Sequence, residues 1–213
     1  VISFHVKKDT QNLSDVSVFR LLQVFAGDLS DAEIPTDSAF WSETLMKPLE
    51  LRHLDLLESS LNRQVADYWF KLADNRPTAL PDKAEIDPLA LGKALPHLCL
   101  IDVRPDGSFA YRLVGEWVRG LGVRRGKTVG NLNDGDSGFQ SCDGLRRCLS
   151  ERLPLWDRQS YGQPGGQGVD GEGTVKIEAL VLPLTARPGT GRIDFLLTCG
   201  DFCKAVVDSG SET

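Results

Sequence analysis

Several features that would point directly to a function are missing from this chain. No apolar run approaches the ~18–20 residues of a membrane-spanning helix, so no membrane insertion is expected. The first residues, "VISFHVKKDTQNLSD", lack an export signal's sequence of basic stretch, apolar run and small-residue cleavage site, and a cytoplasmic location is expected. The five cysteines, Cys99, Cys142, Cys148, Cys199 and Cys203, are odd in number and include no C-x-x-C. Reduced thiols are expected, not a disulfide framework or a zinc knuckle, and no metal site is assigned. An excess of basic charge is also absent: 24 Lys and Arg face 30 Asp and Glu, a net charge of −6 at pH 7. That balance argues against a nucleic-acid partner, which usually meets a basic face.

One stretch imitates a phosphate-binding loop. "GLGVRRGKT", residues 120–128, ends in Gly-Lys-Thr. The motif needs its first Gly five residues before Gly126, so that backbone N–H groups curl around the phosphates. That position is Leu121, with Gly120 one place early and Gly122 one place late. The adjoining segment, "VGNLNDGDSG", is too rich in Gly, Asn and Asp to open a helix. The stretch reads as a Gly-rich connection. Its cations Arg119, Arg124, Arg125 and Lys127 form a solvated loop surface or meet an anionic partner. No nucleophile elbow, H-E-x-x-H or pair of catalytic carboxylates occurs, and the chain is not expected to be an enzyme.

What is present is a patterned globular chain of 213 residues, 41% of them apolar. Residues 1–48 form an extension of unknown role, with a short strand in "ISFHV" and a helix near 15–26. An amphipathic helix is expected over 49–76, with Pro48 in its first turn and Asn75 and Pro77 as its stop. Leu54, Leu57, Leu61, Val65, Tyr68 and Leu72 make its stripe, and Trp69 widens it. The stripe serves either docking on its own domain or a dimer. Leu51 and Leu56 add apolar surface beyond it, and a homodimer through helix 49–74 is the expectation. Four prolines at 77, 81, 88 and 96 then forbid a long helix, with a short turn at 88–94 capped by Asp87.

From 97 the period becomes two. "HLCLIDV" and "FAYRLVG" are strands joined by the turn "RPDG". Phe109, Tyr111 and Leu113 are expected on one face, Ala110, Arg112 and Val114 on the other. A helix over 116–121 and a longer one over 137–151, capped by Ser137, precede three more strands in "PLWDRQSYG", "TVKIEALVLPLT" and "GRIDFLLTCGDF". Residues 204–213 read as a disordered tail. The order predicts an α+β domain with a five-stranded antiparallel sheet, flanking helices and an N-terminal amphipathic helix. Arg112 needs a carboxylate if buried, with Asp102 the first candidate and Glu178 the second; the alternative is a surface Arg.

The words "LPDKAEIDP", "LPHLCLIDV" and "FAYRLVGEWVRGLGVRRGKTVGNL", with "EALVLPL" before the last strand, resemble a bacterial subfamily of small single-PAS-domain proteins over about 65–202. The resemblance implies a PAS-like fold across 77–203 and a role in signal transduction. Such a sensor or adaptor binds a small ligand, a protein partner, or both. The alternatives are a ligand-free dimerisation scaffold and a small enzyme with an unrecognised site. No output segment follows the PAS core, so the signal is expected to leave by contact with a partner. The cofactor stays unknown: helix 137–151 holds no His for haem, and "SCDGLRR" around Cys142 does not match a photoactive flavin site. A ligand is expected between the sheet's inner face and the helices. The candidate lining is Tyr111, Leu113, Trp117, Leu121, Leu145, Cys148, Ile177 and Phe195, with Tyr and Trp offering hydrogen bonds and the rest an apolar wall.

Overall fold

A computed structural model describes residues 46–120, 123–129, 142–161, 175–187 and 189–203. The strand and helix expected in the first 45 residues, the Ser137 cap and the tail lie outside the described residues. The described chain starts in a two-residue strand, β1 (Lys47–Pro48), followed by a 3-10 turn over Leu51–Leu56 and helix α1 (Ser60–Leu72). Helix α2 (Pro88–Leu91) runs into a second 3-10 turn over Gly92–His97. Strands β2 (Leu98–Val103) and β3 (Phe109–Val114), helices α3 (Glu116–Gly120) and α4 (Cys142–Glu151), and strands β4 (Leu155–Tyr161), β5 (Val175–Leu184) and β6 (Phe195–Cys203) complete it. The strands form one antiparallel sheet in the order β1-β4-β5-β6-β2-β3. The expected five strands are all there, and the sixth is β1, too short for a periodic signal, held on the outer edge of β4.

Each face of the sheet carries its own core. On one, α1 packs Val65, Ala66, Trp69 and Phe70 against Leu180, Leu182, Leu184, Leu197, Leu98 and Leu100. On the other, α3, α4 and the 123–129 loop cover Ile101, Phe109, Tyr111, Leu155, Val181 and Leu196. The faces separate because alternate strand residues point to opposite sides.

The helix expected from Pro48 starts twelve residues later. Leu57 to Ser59 are extended, and Ser59 is the N-cap, its hydroxyl accepting from the Asn62 N–H at 3.1 Å. The stop falls as expected: Asp74 and Asn75 take left-handed φ of 53° and 57° just before Pro77. Leu57 and Val65 are fully buried in the chain's own core, with Leu61, Tyr68 and Leu54 packed beside them. The stripe expected to form a dimer seam therefore lies inside the domain. The short turn at 88 also matches expectation, Asp87 accepting from Leu89 N–H at 2.9 Å with Pro88 at the first helical position.

Strand β3 departs from simple alternation. Tyr111 pairs with Ile101 but Leu113 pairs with Leu100, which leaves Arg112 as the extra residue of a β-bulge. Leu113 is thereby turned to the α1 side, away from Tyr111, and is 55% exposed; Val114 takes the Tyr111 side. Where β3 ends, Gly115 is indispensable: a Cβ there would lie 2.2 Å from the Pro96 carbonyl oxygen. Arg112 meets Asp102 at 3.1 Å, the carboxylate anticipated, but both side chains reach solvent. Such an exposed pair contributes little.

Candidate functional site

The face of the sheet beneath α4 gathers five of the eight candidate residues. Tyr111, Leu145 and Cys148 are buried in its core, and Trp117 packs against it half-buried. Ile177 shares this face by alternation with Val181, and it is half-buried beside its β6 partner Phe202. Two candidates lie on the opposite face. Leu113 was turned there by the bulge. Phe195 pairs with Asp102, packs against the α1-side core, and lies under the Lys83 ammonium at 5.2 Å and the Arg112 guanidinium at 5.4 Å. Its neighbour Leu196 takes the inner position instead. Leu121 lies outside the described residues.

Toward the end of the sheet where β2 begins and β6 ends, this face changes character. The Trp117 ring stacks on the His97 imidazole, centroids 4.6 Å apart and planes 18° from parallel. Phe202 meets Trp117 edge-on at 5.2 Å. Between Ile177, Phe202 and Trp117 the sheet surface is low, because Ala179 and Gly200 pair directly and point the same way. His97 and Phe202 were not identified from the sequence. Only the assembled end of the sheet brings the 3-10 turn, α3 and β6 together there.

Across the sheet, a charged cluster fixes the start of α1. Glu178, with 0% exposure, accepts from the Glu58 and Ser59 N–H groups at 2.9 and 3.1 Å and from Asn62 Nδ2 at 3.2 Å. Arg158 meets it at 3.0 Å while also holding Glu58 at 2.7 Å and donating to the Leu56 carbonyl at 2.6 Å. A helix N-terminus favours negative charge, and here the charge comes from β5.

The Gly-rich loop with its Gly-Lys-Thr sits along the free edge of β3. Gly126 N–H donates to the Tyr111 carbonyl at 2.7 Å and Tyr111 N–H to the Lys127 carbonyl at 3.0 Å. Gly126 has φ of +81°, so glycine serves backbone geometry at this position. Arg124 turns back onto the Arg119 carbonyl at 2.6 Å, and Arg119 pairs with Glu116. Among the described residues no group of His, Cys, Asp and Glu is arranged to hold a metal ion, and no helix is long and apolar enough to cross a membrane.

All five cysteines are buried, and none is joined in a disulfide. Burial pushes the Cys99 thiol up to about 12, against hydrogen bonds from Gly115 and Thr198 that pull it down. Burial, with Glu178 and Glu58 nearby, lifts Cys203 to about 11, and burial raises Cys148 and Cys199 as well. Because the thiolate is the nucleophile, these four stay protonated and inert at pH 8. A colorimetric disulfide reagent should find no fast-reacting thiol among them in the native chain, and five thiols in denaturant. Rapid native labelling at any of the four, mapped by peptide mass, would contradict their burial.

A family model described as a PAS domain matches residues 57–196, well over half of the chain. Comparison with curated proteins gives no match, and neither does comparison with solved structures.

Proposed function

The chain belongs to the PAS-domain family, and from that premise we propose that it is a signalling sensor or adaptor. It takes up a small ligand on the α4-side face of its sheet and passes its state to a protein partner by contact. Support comes from one gradient on that face. Leu145, Val181 and Leu196 are fully buried, while Trp117, Ile177 and Phe202, further along the same sheet, are half-buried around the low Ala179–Gly200 pair. The apolar wall that these side chains make suits a small, largely apolar molecule. Tyr111, Trp117, Leu145, Cys148 and Ile177 are the lining residues retained.

Native mass spectrometry of the full chain tests this. The expected spectrum has a species heavier than the 23.4 kDa chain by one small molecule, shed on unfolding. Ala179→Trp, which fills the low part of the face, should abolish that species and leave a folded protein. A bare chain in every preparation would overturn ligand sensing in favour of the ligand-free scaffold.

A further inference from the structure

We infer that Trp117, His97 and Asp201 form a physical link through the sheet, by which the ligand face controls the N-cap of α1. This rests on the proposed sensing role for its purpose, but not for its geometry. On β6, Gly200 and Asp201 point to opposite faces. Gly200 belongs to the Trp117 side, whereas the Asp201 carboxylate reaches the α1 side and accepts the Ser59 hydroxyl at 2.7 Å. His97 ends the 3-10 turn before β2 and touches both. Its Nδ1 lies 3.2 Å from the Gly200 carbonyl oxygen and 3.6 Å from Asp201 Oδ1. Two acceptors around one nitrogen make Nδ1 the protonated one. The Trp117 ring covers the imidazole face and limits where the ring can turn.

The far end of the link is the cap itself. Ser59 has one hydroxyl proton, and it goes to Asp201. That fixes the oxygen's orientation so that it accepts from the Asn62 N–H at 3.1 Å. The cap is therefore oriented by a carboxylate whose other oxygen faces His97. A ligand that displaces Trp117 frees the imidazole, releases one side of Asp201, and loosens the Ser59–Asn62 bond. Glu178 still holds the Ser59 N–H and Asn62 Nδ2, so α1 stays docked while its first turn changes. Trp117, His97 and Asp201 are positioning residues in this link.

Single-residue amide exchange on the full chain without added ligand provides the test, because exchange reports local opening. Trp117→Leu should speed exchange at the Asn62 amide roughly fivefold, the factor that corresponds to a typical lost cap, with Leu182 and Leu197 in the central strands unchanged. With Asp201→Asn already present, Trp117→Leu should add nothing at Asn62. An unchanged Asn62 rate, or an increment that survives Asp201→Asn, overturns the link. If Trp117→Leu loosens the whole sheet, seen as Leu197 accelerating in step, His97→Gln replaces it and must speed Asn62 alone by a similar factor; no change there is equally fatal. A bare mass in native spectrometry would overturn the sensing role and leave these rates as they are. Uncoupled exchange in a ligand-retaining chain overturns only the link.

Discussion

Leu57→Glu together with Leu61→Glu should unfold the protein. Leu57 is fully buried between α1 and the sheet, in the extended residues that lead to the Ser59 cap, and Leu61 packs half-buried beside it. Of the cations at this end of α1, Arg158 is already held by Glu58 and Glu178, and Arg63 donates to the Leu57 carbonyl at 2.6 Å. A carboxylate forced into such a place loses its hydration without a partner, a cost well above the exceptional range of about 4–5 kcal/mol for two sites together. Typical domains are stable by about 5–15 kcal/mol. The expected product has no cooperative thermal transition and no near-ultraviolet circular dichroism. The contrasting pair, Leu51→Glu and Leu56→Glu, alters side chains that are 44% and 55% exposed and should leave the transition in place. A folded 23.4 kDa monomer from the first pair, obtained from a wild-type dimer, would mean that the stripe is an intermolecular seam after all.

That contrast marks how far periodicity could be read. Spacing located α1's apolar residues and its stop at Asn75 and Pro77, because both are local properties of the chain. It could not say what covered them, since Leu next to a sheet and Leu next to a second copy have the same sequence. The start was misplaced for a tertiary reason: the amides of Glu58 and Ser59 are held by Glu178, some 120 positions away, which favours extended backbone up to Ser59. The locations of β2, β5 and β6 were legible from their apolar runs bounded by turn residues. Leu113 failed because one bulge residue, Arg112, reverses every position after it, and nothing local in "FAYRLVG" marks the slip. Phe195 failed differently. It was placed in the apolar wall of the ligand face, whereas register gives that place to Leu196 and leaves Phe195 beneath two cations. The PAS family was readable from its local words. The end of the sheet at His97, Trp117 and Phe202 was not, being assembled from segments that lie far apart in the chain.

The second large effect is expected at Arg158. Glu178 is the one carboxylate with no exposure among the described residues, and Arg158 is its cation. Arg158→Leu leaves that charge in place with three hydrogen-bond donors but no counter-charge. Breaking a buried pair from one side costs about 3–5 kcal/mol. Arg158 itself is partly exposed, at 26% for its side chain, and solvent near the pair favours the lower end. At ~2–4 °C per kcal/mol for a domain of this size, the melting temperature should fall by roughly 10 °C. Glu178→Leu fails for another reason: it strands the Ser59 N–H, which is buried, and the Glu58 N–H beside it. Each orphaned amide costs about 1–3 kcal/mol. The double change separates the two causes. Replacing an isolated buried pair by apolar side chains is often neutral, but here the amides remain orphaned, so Arg158→Leu with Glu178→Leu should stay destabilised by roughly 2 kcal/mol or more. Thermal melts of the two single variants and the double variant decide it. A double variant as stable as wild type would mean that water satisfies the α1 amides and that Glu178 serves only its arginine.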